Sequence, residues 1–358
     1  MNRRLFLLGL IWATLAAAQV RDALPVPDVP GYKTLKCDFH SHTVFSDGDV
    51  WPTLRVAEAW RDGLDVFALS DHSDYNPHKQ DVQPDLARPY ALGQGLAERL
   101  GLILIPAIEV AEGDTHCNAL FVTDPMALRG TKLQEVLRRA RQQDAFVFWN
   151  HPGWKQTAEW FPIIAAAYDE KLIQGVELVN GSTFYAEAFP WIEEKSLTIL
   201  ANSDVHQLAT RRNRPVTLVF AGTADAAGVR EALFARRTAA WMGGEVWGGE
   251  QYLKGLWEGA IKVENPVLTK RPGVSSFALR MRNLSAIPFR ARLHQGPSWL
   301  RGGGAELRPE SVTAGQLSIA KDAPASASFE LELEITNLHV APGKNLMVRL
   351  PLRLEQAP

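Results

Sequence analysis

Short apolar runs alternate with amphipathic stretches between residue 35 and about residue 240, and this alternation constrains the fold more than any other feature. Runs such as 102–105 and 146–149 are almost entirely apolar, which is typical of strands buried on both faces. In the stretches between the runs, apolar residues recur at helical spacing. The alternation predicts an α/β fold with a mainly parallel sheet. About seven strand–helix units over about 210 residues predict a closed or nearly closed barrel.

The runs and stretches define the predicted elements. Strands are predicted at 35–42, 65–71, 102–110, 117–123, 145–151, 175–180, 198–204 and 216–221. Helices are predicted at 52–62, 85–100, 131–143, 157–169, 184–194 and 225–236. The chain becomes rich in glycine at 241–249, and after Gln251 short alternating apolar and polar segments replace the helical pattern. The sequence therefore predicts a barrel domain at 35–250 and a small β-sandwich at 251–358.

The first residues have the composition of an export signal. Two arginines precede a mostly apolar run from Leu5 to Leu15, and three alanines follow it. This pattern predicts a secretory signal peptide at 1–18 and a periplasmic or secreted protein. The alternative is an uncleaved membrane anchor, but the apolar run is short for a membrane span. The polar, proline-rich residues 19–34 are expected to form an extended arm.

Charge and cysteine content limit the partners of the chain. A net charge of -2 gives no bulk attraction for nucleic acid or for a membrane surface, so neither is expected as a partner. Cys37 and Cys117 are the only cysteines in the sequence. Export would permit a disulfide between them. We expect buried free thiols instead, because a disulfide needs close, converging Cβ atoms and the two cysteines fall on different predicted strands.

Histidines and carboxylates collect at the ends of the predicted strands. In the first strand Asp38, His40 and His42 alternate, so their side chains point to one face. Active sites of β/α barrels gather at the carboxyl ends of the strands, where the loops converge. Further residues of this kind at predicted strand ends are Asp47, Asp71, His72, Glu109, His116, His151, Asp204 and His206.

A single histidine at a strand end is more often a hydrogen-bonded structural residue than a metal ligand. Repetition argues against that reading here, because six of the nine histidines fall at these places and carboxylates accompany them. Imidazole and carboxylate ligands without a cysteine pattern suit Zn, Mn or Fe. The sequence therefore predicts a hydrolase with a site for several divalent ions.

Five motifs in this order resemble the polymerase and histidinol phosphatase (PHP) superfamily. They are Asp38-Phe39-His40-Ser41-His42-Thr43 with Ser46-Asp47-Gly48, Leu69-Ser70-Asp71-His72, Glu109 with His116, Asn150-His151-Pro152, and Asn202-Ser203-Asp204-Val205-His206. The resemblance covers about residues 35 to 240, and it implies a distorted (β/α)7 barrel that holds two or three divalent metal ions and hydrolyses phosphoesters. The secreted phosphodiesterases related to the haloalkyl phosphate-degrading enzyme are the most similar branch, since they combine a leader peptide, Trp-Asn-His-Pro-Gly-Trp and a C-terminal β extension.

The resemblance also implies a role for each residue. A first metal would be held by His40, His42, Glu109 and Asp204. A second would share Glu109 and be held by His116 and His151, and a third would be held by Asp47, His72 and His206. Some members of the family have a histidine where Asp47 falls. Asp38 and Asp71 are expected to orient imidazoles rather than to bind metal.

Hydrolysis at such a site needs no covalent nucleophile from the protein. A hydroxide bridging the ions, available because metal lowers the pKa of water to about 7, would attack phosphorus in line with the leaving oxygen. Glu109 would act as the bridging carboxylate. His78 is a candidate proton donor or substrate contact, and Lys155 and Arg211 are candidate clamps for phosphate oxygens. Solvated side chains without a catalytic role are the alternative for these three.

The favoured function is a secreted metal-dependent phosphodiesterase that acts on a small-molecule phosphoester. A phosphomonoesterase with the same site is the neighbouring alternative. An amidohydrolase-like barrel is more distant, because such barrels typically carry a lysine ligand that these strand ends lack. A protein of another class, which binds a cell wall or a glycan through the β-sandwich, is disfavoured by the full ligand set. The sequence predicts no particular oligomeric state.

Overall fold

The computed structural model describes residues 20–155, 157–208 and 214–357. The predicted signal peptide and the candidate Arg211 lie outside these residues. The described helices are α1 (Pro52–Arg61), α2 (Arg88–Leu100), α3 (Leu133–Gln142), α4 (Pro162–Asp169), α5 (Ala188–Glu194), α6 (Ala226–Phe234) and α7 (Glu250–Ala260), with a 3₁₀-helix at Pro125–Leu128. The first eleven strands are β1 (Lys33–Asp38), β2 (Val66–Leu69), β3 (Ile103–Glu112), β4 (Thr115–Leu120), β5 (Phe146–Trp149), β6 (Gly175–Asn180), β7 (Thr183–Phe184), β8 (Thr198–Asn202), β9 (Val216–Ala221), β10 (Thr238–Met242) and β11 (Glu245–Gly248). The later strands are β12 (Ile261–Val263), β13 (Val267–Lys270), β14 (Ser276–Asn283), β15 (Phe289–Gln295), β16 (Leu300–Gly302), β17 (Gly304–Leu307), β18 (Val312–Ile319), β19 (Ala327–Ala341) and β20 (Lys344–Gln356).

A large mixed sheet carries the first part of the chain. β1 pairs in parallel with β2, β2 with β3, β5 with β6 and β6 with β8. β4 runs antiparallel to both β3 and β5, and β9 runs antiparallel to β1. The predicted mixture of helices and strands is confirmed, whereas the expectation of a mainly parallel sheet is wrong. The reason is local, because only Gly113 and Asp114 separate β3 from β4, and a connection this short permits only an antiparallel hairpin.

The sheet curls around a buried interior. Phe39, Ile105, Phe148, Leu200 and Val219 follow or belong to strands spread along the sheet, yet they share one hydrophobic cluster. β8 and β9 are linked by a side chain. The hydroxyl of Thr217 donates to the carbonyl of Ala201 at 2.8 Å and accepts from its amide at 2.9 Å.

The two cysteines sit within this part of the fold. Cys37 lies on β1 and Cys117 on β4, and both are buried free thiols, as expected.

After α7 the chain is built of β-strands. β12, β14, β18 and β16 form a four-stranded sheet. β13, β20, β19, β15 and β17 form a second layer, which joins the large sheet through the parallel pairing of β11 with β19. Exposed and buried residues alternate along the whole of β14. Leu279 of β14 shares a hydrophobic cluster with Leu333 of β19, so the two layers pack around a common core.

The arm before β1 lies against both parts of the chain. The amide of Asp22 donates to the carbonyl of Arg61 at the end of α1, at 2.8 Å. The amide of Ala286 donates to the carbonyl of Pro25 at 2.7 Å. Among the residues described, no helix is both long and apolar enough to cross a membrane.

Candidate metal centre

The ends of β1 and β8 are held together where the ligand candidates begin. β1 ends at Asp38, and the chain beyond it runs beside the residues that follow β8. The amide of His42 donates to the carbonyl of Val205 at 3.0 Å, and the amide of Asp204 donates to the carbonyl of His40 at 2.9 Å. These bonds place two predicted imidazoles next to a predicted carboxylate.

His40 and His42 face the same two carboxylates. Nε2 of His40 lies 3.2 Å from Oε2 of Glu109 and 3.2 Å from Oδ1 of Asp204. Nε2 of His42 lies 3.2 Å and 3.0 Å from the same two oxygens. Both imidazoles are fully buried. Four nitrogen and oxygen atoms therefore converge on one point at the end of the barrel.

Glu109 extends this cluster to a second side. Its Oε1 lies 3.0 Å from Nδ1 of His116 and 3.5 Å from Nε2 of His151, and its Oε2 lies 3.4 Å from Nε2 of His72. The prediction that His116 follows a strand is wrong, because His116 is the second residue of β4. Since β4 runs antiparallel, its beginning lies at the same edge as the carboxyl ends of its parallel neighbours.

Asp47 and His206 form the third side. Oδ1 of Asp47 lies 3.3 Å from Nε2 of His206 and 3.5 Å from Nδ1 of His42. Its Oδ2 lies 3.7 Å from Nε2 of His72. Asp47 is on the loop after the first motif, so it reaches the cluster from outside the sheet.

The structure brings all nine predicted ligand residues together. Their ligand atoms form four overlapping groups, and within each group the atoms lie no more than 4.8 Å apart. Two ligands that bind one ion at about 2.1 Å, at angles of about 90–110°, are about 3.0–3.4 Å apart. The distances from His40 and His42 to Glu109 and Asp204, 3.0 to 3.2 Å, match this spacing. The groups are His42 with Asp47, His72 and His206; His40 with His151 and Asp204; His40 with His42 and Glu109; and His72 with Glu109 and His116.

The charges of the cluster also favour a cation. Burial alone would lower the pKa of His42, but hydrogen bonding to Asp204 and Glu109 outweighs it and raises that pKa to about 10. Burial alone would raise the pKa of Glu109, yet His72 and His40 hold it well below its usual range. The buried carboxylates thus stay ionised and attract positive charge strongly enough to protonate a buried imidazole. A divalent ion would supply that charge.

A buried carboxylate that the sequence prediction missed organises the site. Oε1 of Glu177 lies 2.9 Å from Nδ1 of His40 and accepts from the side-chain Nδ2 of Asn202 at 3.0 Å. Oε2 accepts from the backbone amide of His151 and from the side chain of Asn180, both at 2.8 Å. Glu177 is fully buried in the middle of β6. A lone charge inside an otherwise apolar strand was the signal that could have identified it.

Asp38 and Asp71 contact residues around the cluster instead of joining it. Asp71 accepts from the amide of Thr43 at 2.7 Å and from the hydroxyl of Ser46 at 2.7 Å. That hydroxyl lies 3.2 Å from Nδ1 of His42, so Asp71 orients the imidazole through Ser46. Asp38 accepts from the hydroxyl of Ser203 at 2.6 Å.

Two of the candidate ligands have unusual backbone conformations. His151 has φ 27° and Asp204 has φ 51°, in the left-handed region that side chains with a Cβ disfavour. Such strain persists where surrounding contacts over-determine it, and it clusters at functional sites. Here the amide of His151 is bound by Glu177 and the amide of Asp204 by the carbonyl of His40.

Two of the other catalytic candidates, His78 and Lys155, lie among the described residues and outside the four ligand groups. His78 belongs to none of the four groups, and within the described ranges its buried Nε2 has no hydrogen-bond partner. Nζ of Lys155 lies 3.7 Å from the ring centre of Trp154 and 3.9 Å from Oδ1 of Asp114. The Trp154 ring centre is 5.0 Å from that of His116. Lys155 therefore lies at the rim, separated from the imidazoles by an indole.

A curled mixed sheet with clustered imidazoles and carboxylates at one edge is the arrangement expected of an α/β metal-dependent hydrolase. The chain matches no family model and no curated protein sequence. Among solved structures, it resembles a two-domain protein from Bacteroides vulgatus that contains a predicted PHP-like metal-dependent phosphoesterase. The two chains are 36% identical, with a TM-score of 0.87, over 94% of this chain and 100% of that one. The chain belongs to this PHP-like family, which confirms the resemblance read from the motifs.

Two other solved structures are only remotely similar to this chain. A protein from Bifidobacterium adolescentis, described as a metal-dependent phosphoesterase, is 17% identical over 56% of this chain and 96% of that one, with a TM-score of 0.39. An amidohydrolase from Chromobacterium violaceum is 16% identical over 48% of this chain and 87% of that one, with a TM-score of 0.35.

Proposed function

We propose that this chain is an exported phosphodiesterase that uses two or three divalent ions, Mn, Zn or Fe, to hydrolyse a small phosphodiester. The observation that carries the proposal is the convergence of nine imidazole and carboxylate residues, at ligand spacing, in a member of the PHP-like family. The preference for diesters and the export rest on the likeness of the motifs and the leader to the secreted haloalkyl-phosphate branch. A distorted (β/α)7 barrel of the PHP type is part of the same proposal.

The proposed ligands fall into three sets that share residues. The first ion is assigned to His40, His42, Glu109 and Asp204. The second is assigned to Glu109, His116 and His151, and the third to Asp47, His72 and His206. Glu109 is the natural bridge, because its two oxygens face different imidazoles at 3.0 to 3.5 Å. Divalent ions at these positions would supply Lewis acidity, which activates water at neutral pH and neutralises phosphoryl charge.

The chain's own residues prepare the site for that chemistry. Glu177 accepts the Nδ1 proton of His40 and leaves the Nε2 lone pair directed at the cluster. The side chain of Asn150 donates to Oε1 of Glu109 at 2.7 Å, which fixes the orientation of the carboxylate. Burial of both groups excludes bulk water and strengthens their interaction with charge. We propose Lys155 at the rim as a contact for an anionic substrate, and His78 and Arg211 as further candidates.

The experiment uses the mature chain with its metal content measured. Bis-(p-nitrophenyl) phosphate and the monoester are assayed with and without added Mn or Zn. Glu109→Ala and His151→Ala should abolish diester hydrolysis, because each removes a proposed ligand. Glu112→Ala is the matched control on the same strand, since Glu112 contacts Lys132 and the amide of Leu133 outside the cluster.

The outcomes separate the alternatives. Two or more bound ions without hydrolysis of either ester would refute the proposed function. Preferential hydrolysis of the monoester would favour the phosphomonoesterase. Export is tested separately by the mass of the protein recovered from the periplasm or the medium, which should lack residues 1–18.

A further inference from the structure

Arg55 is a fully buried arginine that lies outside the proposed ligand set. It projects from α1, and its donors meet three backbone carbonyls. Nε donates to His42 at 3.2 Å, Nη2 to His206 at 2.7 Å and Nη1 to Gln207 at 2.8 Å. Arginine is rarely buried unless its N–H donors are satisfied. The three carbonyls satisfy these donors and fix the position of the guanidinium.

The guanidinium fixes the backbone at two proposed ligands. His206 follows β8 and comes directly after Val205, whose bridge to Ser41 is isolated, and its side chain is partly exposed. Its carbonyl accepts from Arg55 and also from the amide of Asp49, at 2.9 Å. Arg55 thus ties His206 to the segment that carries His42 and Asp47.

Neighbouring charges hold the guanidinium in turn. Oε2 of the buried Glu58 accepts from Nη1 of Arg55 at 2.7 Å, and Oε1 accepts from Nη2 of Arg214 at 3.0 Å. Nη1 of Arg214 lies 3.6 Å from Oδ2 of Asp38. Glu58 therefore balances the positive charge of Arg55, while the planar guanidinium also donates to the three carbonyls.

We propose that Arg55 is a positioning residue for the third cation site, formed by Asp47, His72 and His206. It acts by fixing the backbone of His206, so that this imidazole stays within reach of Asp47. The backbone of His42 is also held by the bond from its amide to the carbonyl of Val205, so the first ion does not depend on Arg55. The inference rests on the proposed function only in that this cluster binds divalent ions. Lysine cannot replace arginine here, because a single ammonium cannot span three carbonyls.

The test counts and titrates bound Mn in the purified full chain. Arg55→Lys should weaken one Mn equivalent by about 10- to 100-fold, as loss of a partner that orients a metal ligand typically does, and leave the other equivalents unchanged. Arg61→Lys is the matched control on the same helix, since its guanidinium contacts the neighbouring Asp62. Arg55→Met is examined alongside, and Arg55→Lys preserves the charge beside Glu58 should the methionine variant fail to fold.

A double-mutant comparison separates positioning from general stability. His206→Ala should lose the same equivalent, and adding Arg55→Lys to it should weaken Mn binding no further. The proposal would be overturned if Arg55→Lys bound Mn with full affinity or weakened the binding of every ion equally. It would also be overturned if the two substitutions had additive effects, or if the wild type bound fewer than three ions. A wild type that binds three ions but hydrolyses no phosphoester would refute the proposed function and leave this inference standing.

Discussion

Replacing Glu177 with glutamine tests how the site is built. The carboxylate receives four N–H donors, two on each oxygen: His40 and Asn202 on Oε1, and His151 and Asn180 on Oε2. Glutamine has nearly the same shape but only one accepting oxygen, and its amide nitrogen is itself a donor. In either orientation, two donors face an NH2 group in a buried site.

The magnitude follows from those unpaired donors. Each buried donor without a partner costs about 1–3 kcal/mol, so Glu177→Gln should destabilise the metal-free protein by about 2–6 kcal/mol. If the amide nitrogen turns towards His40, the imidazole also loses the acceptor that sets its tautomer. Metal affinity should then fall by about 10- to 100-fold, the usual effect of losing such a partner.

The assay compares chemical denaturation of the metal-free wild type and Glu177→Gln, followed by Mn titration of each. Glu170→Gln is the control, because Glu170 is an exposed residue paired with Arg138 and its replacement should change the denaturation midpoint little. A Glu177→Gln protein within about 0.5 kcal/mol of the wild type, the range expected of ordinary surface substitutions, would refute the argument from hydrogen bonding.

Four further predictions concern the pH dependence of metal binding, the pH dependence of stability, the rim of the site, and the contact between β11 and β19. Burial lowers the pKa of His42, but Asp204 and Glu109 raise it to about 10. Mn binding to the metal-free protein at pH 7 should therefore release protons and strengthen as the pH rises towards about 10. Calorimetry in buffers of different ionisation enthalpy measures the protons, and a binding enthalpy independent of the buffer would contradict this prediction. Because the pKa of His42 is raised, its protonated imidazole stabilises the metal-free fold fully below about pH 6.5, and this stabilisation is lost as the pH rises through about 10. The melting temperature measured against pH would detect the loss. Trp154→Ala should raise KM for an aryl diester roughly 2- to 12-fold with an unchanged melting temperature, because Trp154 is 37% exposed beside the cluster; an equal effect on a methyl diester would count against stacking. His339→Ala should lower the melting temperature by about 1–2 °C, because it removes the ring stacked at 5.4 Å on Trp247 between β11 and β19 and the contacts of that ring with Glu245 and Asn345. An unchanged melt would show that these contacts contribute nothing to stability.

Much of the barrel was predictable, because its helices and strands follow simple spacing rules. β6 and β9 have the predicted bounds, and α1 ends one residue early. The helix α7 was missed because Gly255 and Gly259 interrupt its pattern. Both glycines lie against the N-terminal arm, where an added Cβ would come within 2.9 Å of Val29 and 2.7 Å of Pro27. The need for glycine at these two positions comes from contact with the N-terminal arm, which is distant in sequence and which local spacing does not reveal.

The candidate ligands were predictable for a different reason. Each neighbours a predicted strand end or a short motif, and ligand chemistry requires particular residue types there. Glu177 and Arg55 lack such a marker. Their partners include backbone groups of loops distant in sequence, such as the amide of His151 and the carbonyl of His206. Only the folded chain brings these groups together, so Glu177 and Arg55 escaped prediction, whereas the ligands and Asp71, which lies in a motif, did not.

Asp38 does not share a face with His40 and His42, although strand periodicity predicts that it does. Asp38, His40 and His42 alternate in sequence, and a continuous strand would direct all three to one face. β1 ends at Asp38, so the two histidines follow a different backbone path, which is set by hydrogen bonds to Asp204 and Val205. Asp38 instead accepts from Ser203 and lies beside Arg214, in the charge network that also holds Arg55. Within one motif, His40 and His42 thus face the proposed ions, whereas Asp38 faces Arg214 in the charge network around Arg55.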